Sequence, residues 1–98
     1  MASSKQFRDF ILEQLRELDN ITCKSMMGEF LLYYNGVLFG GIYDDRFLIK
    51  KTTSNKRYKL TEEIPYSNAK PMYIVENLDD IDYLSELIKT TCKGLKMA

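Results

Sequence analysis

Ninety-eight residues, 45% hydrophobic and 29% charged, have the make-up of one globular domain, expected to span residues 1–98 and to bury a modest core without a disulfide or metal. Lysine plus arginine equals aspartate plus glutamate at 14 each, so no overall basic field draws nucleic acid to the chain. Histidine is absent, which removes the commonest general base near neutral pH and the commonest metal ligand.

Ser3 or Ser4 is placed to cap a first helix, and Gln6 stands at capping-box spacing from Ser3. Phe7, Phe10, Ile11, Leu15 and Leu18 form one apolar stripe, charged residues take the opposite side, and Asp19-Asn20 ends the helix. Residues 21–27 read as an edge-like strand that Gly28 turns. Three extended runs follow, at 30–34, 37–43 and 46–51, separated by Asn35-Gly36 and Asp44-Asp45. Both dipeptides tolerate the positive φ of a two-residue hairpin turn, so the runs predict a tight antiparallel meander. Gly40-Gly41 inside the central run marks a bulge or a close approach of another element.

Residues 52–59 are polar, with Ser54 placed to cap a single helical turn reaching Tyr58. Residues 60–70 read as a loop centred on Pro65. Pro71 opens another extended run at 72–76, since proline suits the first position of a strand. Asp79 or Asp80 caps the last helix. Ile81, Leu84, Ile88, Cys92 and Leu95 line its apolar face, and Gly94 is positioned to close it. Strands grouped between two amphipathic helices argue for an α+β fold: one antiparallel sheet with the N- and C-terminal helices packed on one face.

In their order and spacing these residues resemble a known family. Met26-Met27-Gly28-Glu29, Tyr33-Tyr34-Asn35-Gly36, Gly41-Ile42-Tyr43-Asp44-Asp45-Arg46 and Leu48-Ile49-Lys50 are similar to the N-terminal domain of the TfoX/Sxy family. So are Ile64-Pro65-Tyr66, Lys70-Pro71-Met72-Tyr73 and Leu78-Asp79-Asp80. Met27 stands where that family often has phenylalanine. The resemblance implies a stand-alone N-terminal domain with a two-layer fold of the secretion-chaperone kind. It also implies a non-enzymatic bacterial regulator or adaptor, named for competence, that acts with transcription machinery.

The chemistry-bearing groups fit that expectation. Adjacent carboxylates at Asp44-Asp45 and Asp79-Asp80 point apart on a turn and have no third ligand in sequence reach, so no metal or other cofactor is expected. Ser25, Ser54, Ser67 and Ser85 lack an elbow motif, and no phosphate loop or helix follows Gly40-Gly41. Cys23 and Cys92 read as reduced, mostly buried thiols; a contact between them, with a regulatory disulfide as the alternative reading, needs the last helix to pack over the first strand. No signal peptide or membrane-length apolar run is present, so a cytoplasmic protein is expected.

Two features suggest contact with a macromolecule. Lys50, Lys51, Lys56, Arg57 and Lys59 follow Arg46 with no acid before Leu60, and Tyr58 sits among them. This strip is a candidate contact for a protein partner or, through phosphates and base stacking, for nucleic acid. Glu62, Glu63, Glu76, Asp79, Asp80, Asp82 and Glu86 form an acidic counterpart downstream, suited to self-association or to a charged partner. Secondly, Phe30, Leu32 and Tyr34 alternate with Leu31 and Tyr33, so both faces of that strand are apolar. Either the 60–70 loop or a second copy of the chain should cover the second face, with Tyr33, Tyr34 and Tyr43 as candidate interface residues of a homodimer. A protein-binding regulatory module is therefore the leading expectation, direct nucleic-acid binding the next, and a small-molecule-binding or enzymatic role the third.

Overall fold

The computed structural model describes residues 3–97. It has the expected α+β architecture: a six-stranded antiparallel sheet with one helix from each end of the chain. Helix α1 spans Lys5–Gln14 and α2 spans Ile81–Met97. The strands are β1 (Ile21–Met26), β2 (Glu29–Tyr34), β3 (Val37–Tyr43), β4 (Arg46–Ile49), β5 (Glu62–Glu63) and β6 (Met72–Ile74), in the order β1-β2-β3-β4-β6-β5.

Ser4 caps α1 by accepting the Phe7 N–H at 3.1 Å. The Ser3–Gln6 capping box does not form, because Ser3 is tied elsewhere. Its hydroxyl donates to Glu29 Oε1 at 2.8 Å and accepts the Asp45 N–H at 3.1 Å. Glu29 Oε2 accepts the Asp44 N–H at 3.0 Å, and Asp45 Oδ1 accepts the Ser4 N–H at 2.7 Å. The Asp44-Asp45 pair thus ties Ser3 and Ser4 to the β3–β4 turn. Beyond Gln14 the chain tightens, with the Leu18 N–H on Leu15 O at 3.0 Å, so Leu15 and Leu18 stay buried without further α-helix.

Three two-residue turns build the meander. Met27-Gly28 (φ 52° and 87°), Asn35-Gly36 (51° and 81°) and Asp44-Asp45 (54° and 55°) all have the positive φ at both central positions that a type I′ turn demands. The bulge falls at Phe39, beside the glycine pair: the β2–β3 register slips between Leu32 and Tyr33, and Phe39 is the extra residue. It turns into the core, fully buried.

Besides the capping box and the first helix, which ends at Gln14 and not at Asp19-Asn20, two more sequence expectations are corrected. The 60–70 segment is not wholly loop, because Glu62 and Glu63 pair with Tyr73 and Met72 to form the edge strand β5. A two-residue acidic strand carries no periodic signal. Gly94 does not end α2, which runs on to Met97. A Cβ at Gly94 would collide with Ser54 Oγ and lie 2.9 Å from Thr52 Oγ1, so glycine is there for close packing.

The core lies between helices and sheet. Ile11 and Leu15 from the first helical segment and Leu84, Leu87 and Ile88 from α2 meet Phe30, Leu32, Ile42, Phe47 and Ile49, all 5% exposed or less. Cys23 is half-buried, Cys92 is buried and both are free. Among the described residues no helix is long and apolar enough to cross a membrane.

Candidate functional site

The register assigns alternate residues to the face away from the helices. Thr22↔Tyr33 and Lys24↔Leu31 pair there, as do Leu31↔Gly41, Tyr33↔Leu38, Tyr43↔Arg46 and Leu48↔Ile74. The segment between β5 and β6 covers part of this face. Pro65 is buried, and the Tyr66 ring lies 6.2 Å from that of Tyr43. Arg46 pins the cover. Its Nη1 donates to Glu63 Oε1 at 2.7 Å and Ile64 O at 3.2 Å, and its Nη2 to Pro65 O at 3.1 Å. A fork of donors suits this task, since one planar guanidinium satisfies several carbonyls at once.

The cover stops short. Leu31, Tyr33 and Leu38 remain half-buried, while Met26 is 50% and Tyr66 64% exposed. Between the cover and the strands lies a groove of about 730 Å³ lined chiefly by apolar side chains. Its size is that of a ligand or peptide cleft. Burial, with Tyr66 and Glu29 nearby, pushes the Tyr43 hydroxyl above its ordinary pKa of 10.0, so the phenol stays protonated. Among the described residues no group of three His, Cys, Asp or Glu is placed to hold a metal ion.

The three candidate tyrosines do not share a face. Tyr33 and Tyr43 lie on the open side, with Tyr43 already under Tyr66, whereas Tyr34 pairs with Ile21 on the helix side and packs against the core. Of the three, Tyr43 lines the groove, together with Leu38, Tyr66, Lys70 and Met72, which were not expected as site residues. The apolar Met72 beside Pro71, and a lysine just before them, were the available signal.

The basic strip is held by a docked turn. Asn55, fully buried, donates from Nδ2 to Lys50 O and Thr91 Oγ1, both at 2.9 Å, and its Oδ1 accepts the Thr52 N–H at 2.9 Å. Ser54 Oγ donates to Thr90 O at 2.8 Å. This network fixes residues 52–59 on α2 and ends in a 3-10 turn over Lys56–Tyr58. Folding brings acids to cations that had none in sequence. Arg46 meets Glu63 at 2.7 Å, Lys51 meets Glu62 at 3.0 Å and Arg57 meets Glu86 at 3.9 Å. Lys50, Lys56 and Lys59 form no ion pair among the described residues. Tyr58 has the Arg57 guanidinium over its ring at 5.1 Å and the Tyr83 ring at 5.8 Å.

Comparison with known proteins bears on this layout. The TfoX N-terminal domain family matches residues 13–92. The chain belongs to that family. The matched span takes in all six strands and α2 as far as Cys92, so the basic turn and all of the groove lining but Leu95 lie within the TfoX N-terminal domain. This is a regulatory-type domain and not a known enzyme family. The chain is also 24% identical over 98 residues to the "uncharacterized 12.7 kDa protein in trpE 5′ region" of Spirochaeta aurantia, a match covering 97% of this chain and 85% of that protein.

Proposed function

We propose that this TfoX N-terminal domain is a non-enzymatic regulatory or adaptor module that binds a macromolecular partner through the uncovered part of its second sheet face. The observation that carries this reading is the apolar strip of Leu31, Tyr33 and Leu38. It is left half-buried in a fold that fully buries the residues alternating with it, such as Leu32 and Phe39. Contiguous exposed apolar surface on a small domain marks interaction sites. Family membership supports a role in transcription or competence regulation.

The test compares tagged wild type with Leu38→Lys, purified side by side from producing cells. Quantitative mass spectrometry should show a specific protein retained by the wild type and lost from the variant. An identical set on both would remove the second face from the account.

A second reading is direct nucleic-acid binding through the Lys50–Lys59 strip, favoured by Lys50, Lys56 and Lys59 having no acidic neighbour in ion-pair range among the described residues. With three of the six cations between Arg46 and Lys59 already paired, few phosphates can be contacted. Binding should then be weak and steeply salt-dependent. Retention on DNA or RNA at low salt, abolished by Lys56→Glu with Arg57→Glu, is its expected signature. No retention at low salt would end it.

A further inference from the structure

The groove on the second face differs in chemistry from end to end. Ile49 pairs with Tyr73, so Lys50 leaves β4 opposite Met72, with Lys70 just beyond; Lys50, Lys51 and Lys70 line this end. At the other end stand Tyr43, Pro65 and Tyr66, with Leu31 and Leu38 along the floor. No aspartate or glutamate is among the lining residues. Lys51 is occupied by Glu62, whereas Lys50 and Lys70 have no ion pair among the described residues.

An apolar floor that runs into uncompensated ammonium groups selects a ligand with apolar side chains at one end and negative charge at the other. The groove is open along its length, which suits a polypeptide lying across it better than an alkyl tail, which needs enclosure. The molecule measures 31 × 30 × 24 Å. An extended chain advances ~3.3 Å per residue, so about eight residues span the face. A second copy of this chain is a poor fit. Its acidic run, Asp79, Asp80, Asp82 and Glu86, lies at and along α2, whose apolar side, Leu84, Leu87 and Ile88, is already fully buried in its own core.

We propose that the groove receives an extended segment of a partner protein with apolar side chains at one end and a cluster of carboxylates at the other, the apolar part lying against Leu31, Leu38 and Tyr66 and the acidic part against Lys50 and Lys70. This rests on the second face being the partner-binding surface and adds the chemical character of what binds there.

The probe is a fluorescein-labelled synthetic peptide of about eight residues, leucine and phenylalanine followed by aspartate and glutamate, titrated by anisotropy. Binding should weaken at least about fivefold with Lys50→Glu plus Lys70→Glu, and again on raising the salt, because exposed charges are screened. Leu38→Ser should weaken it with little salt dependence. Lys56→Glu plus Lys59→Glu should leave it unchanged, and urea melts should show every variant folded. A peptide with lysine in place of its acids, or serine in place of its apolar residues, should bind far more weakly. Equal binding of the lysine peptide, or no loss on reversing Lys50 and Lys70, would overturn the proposal. If Leu38→Lys still releases a native partner while the acidic peptide fails to bind, the acidic-segment inference falls and the partner-binding face stands. Should neither respond, both fall.

Discussion

Under the helices, Phe39, Phe47 and Ile49 are 1% exposed or less. On the opposite side of the same strands, Leu31, Tyr33 and Leu38 are half-buried and Met26 is 50% exposed. Both sets come from one alternating pattern, because successive strand residues point to opposite faces. What separates them is the cover. Two amphipathic helices seal one side with interdigitated side chains, while the other has a single segment held by the Arg46 fork and the Tyr43–Tyr66 contact. An apolar strand face is therefore not core until something rigid closes over it, and the unclosed part stays half-exposed to solvent.

The two faces differ most at Phe39, which is fully buried. Phe39→Ala should cost about 3–5 kcal/mol, since it empties a sealed site, whereas Leu38→Ala, one residue away, should cost within about 1 kcal/mol. Equal losses in urea titrations would mean that the two faces are equivalent. Next comes Asn55→Ala. It strands Lys50 O and the Thr52 N–H and undoes the docking of the basic turn, for roughly 2–3 kcal/mol, and amide exchange should speed up across residues 52–59. Arg46→Ala should cost less, about 1–2 kcal/mol for a half-exposed fork with several acceptors. Its signature is local: faster amide exchange over residues 64–70, which Arg46 holds through Ile64 O and Pro65 O. Unchanged exchange there would show that Arg46 does not hold the cover.

The smallest effect separates the two thiols. Burial pushes the Cys92 thiol up from an ordinary 9.0 to about 11, with Lys96 opposing weakly. Burial also raises Cys23, with Arg8 opposing, but that thiol is only half-buried. Cys23 should thus react with an alkylating reagent well before Cys92 in the native protein. The folded state holds the Cys92 proton more tightly than the unfolded chain does. Its contribution is therefore fully present below pH 9 and is lost as the pH rises towards about 11. Cys92→Ala should flatten that part of the alkaline decline in urea midpoints. An unaltered decline would assign it to other groups.

Much of the fold was readable because its signals are local. Asn35-Gly36 and Asp44-Asp45 state their turns by side-chain type, and Asp80 caps α2 by accepting the Tyr83 N–H at 3.0 Å. What escaped depends on residues far apart in the chain. Ser3 looked like a cap until Glu29 and Asp45 claimed it. Gly94 looked like a helix stop, but its role comes from Ser54 and Thr52 packing against α2. The strip from Lys50 to Lys59 looked free of acids, yet β5 and α2 bring Glu62 and Glu86 to it. The groove was half legible: the two apolar sets of β2 announced a second face, but only the path of residues 64–71 shows how much of it stays open.

Nuclear magnetic resonance mapping of a captured partner on the isotope-labelled domain tests the central claim most directly. Amide and methyl shifts should concentrate at Leu31, Tyr33, Leu38, Ala69 and Met72, with α1 and the 56–59 turn silent. Shifts centred on the Lys56–Tyr58 turn or on the helices, with the second face unmoved, would contradict it.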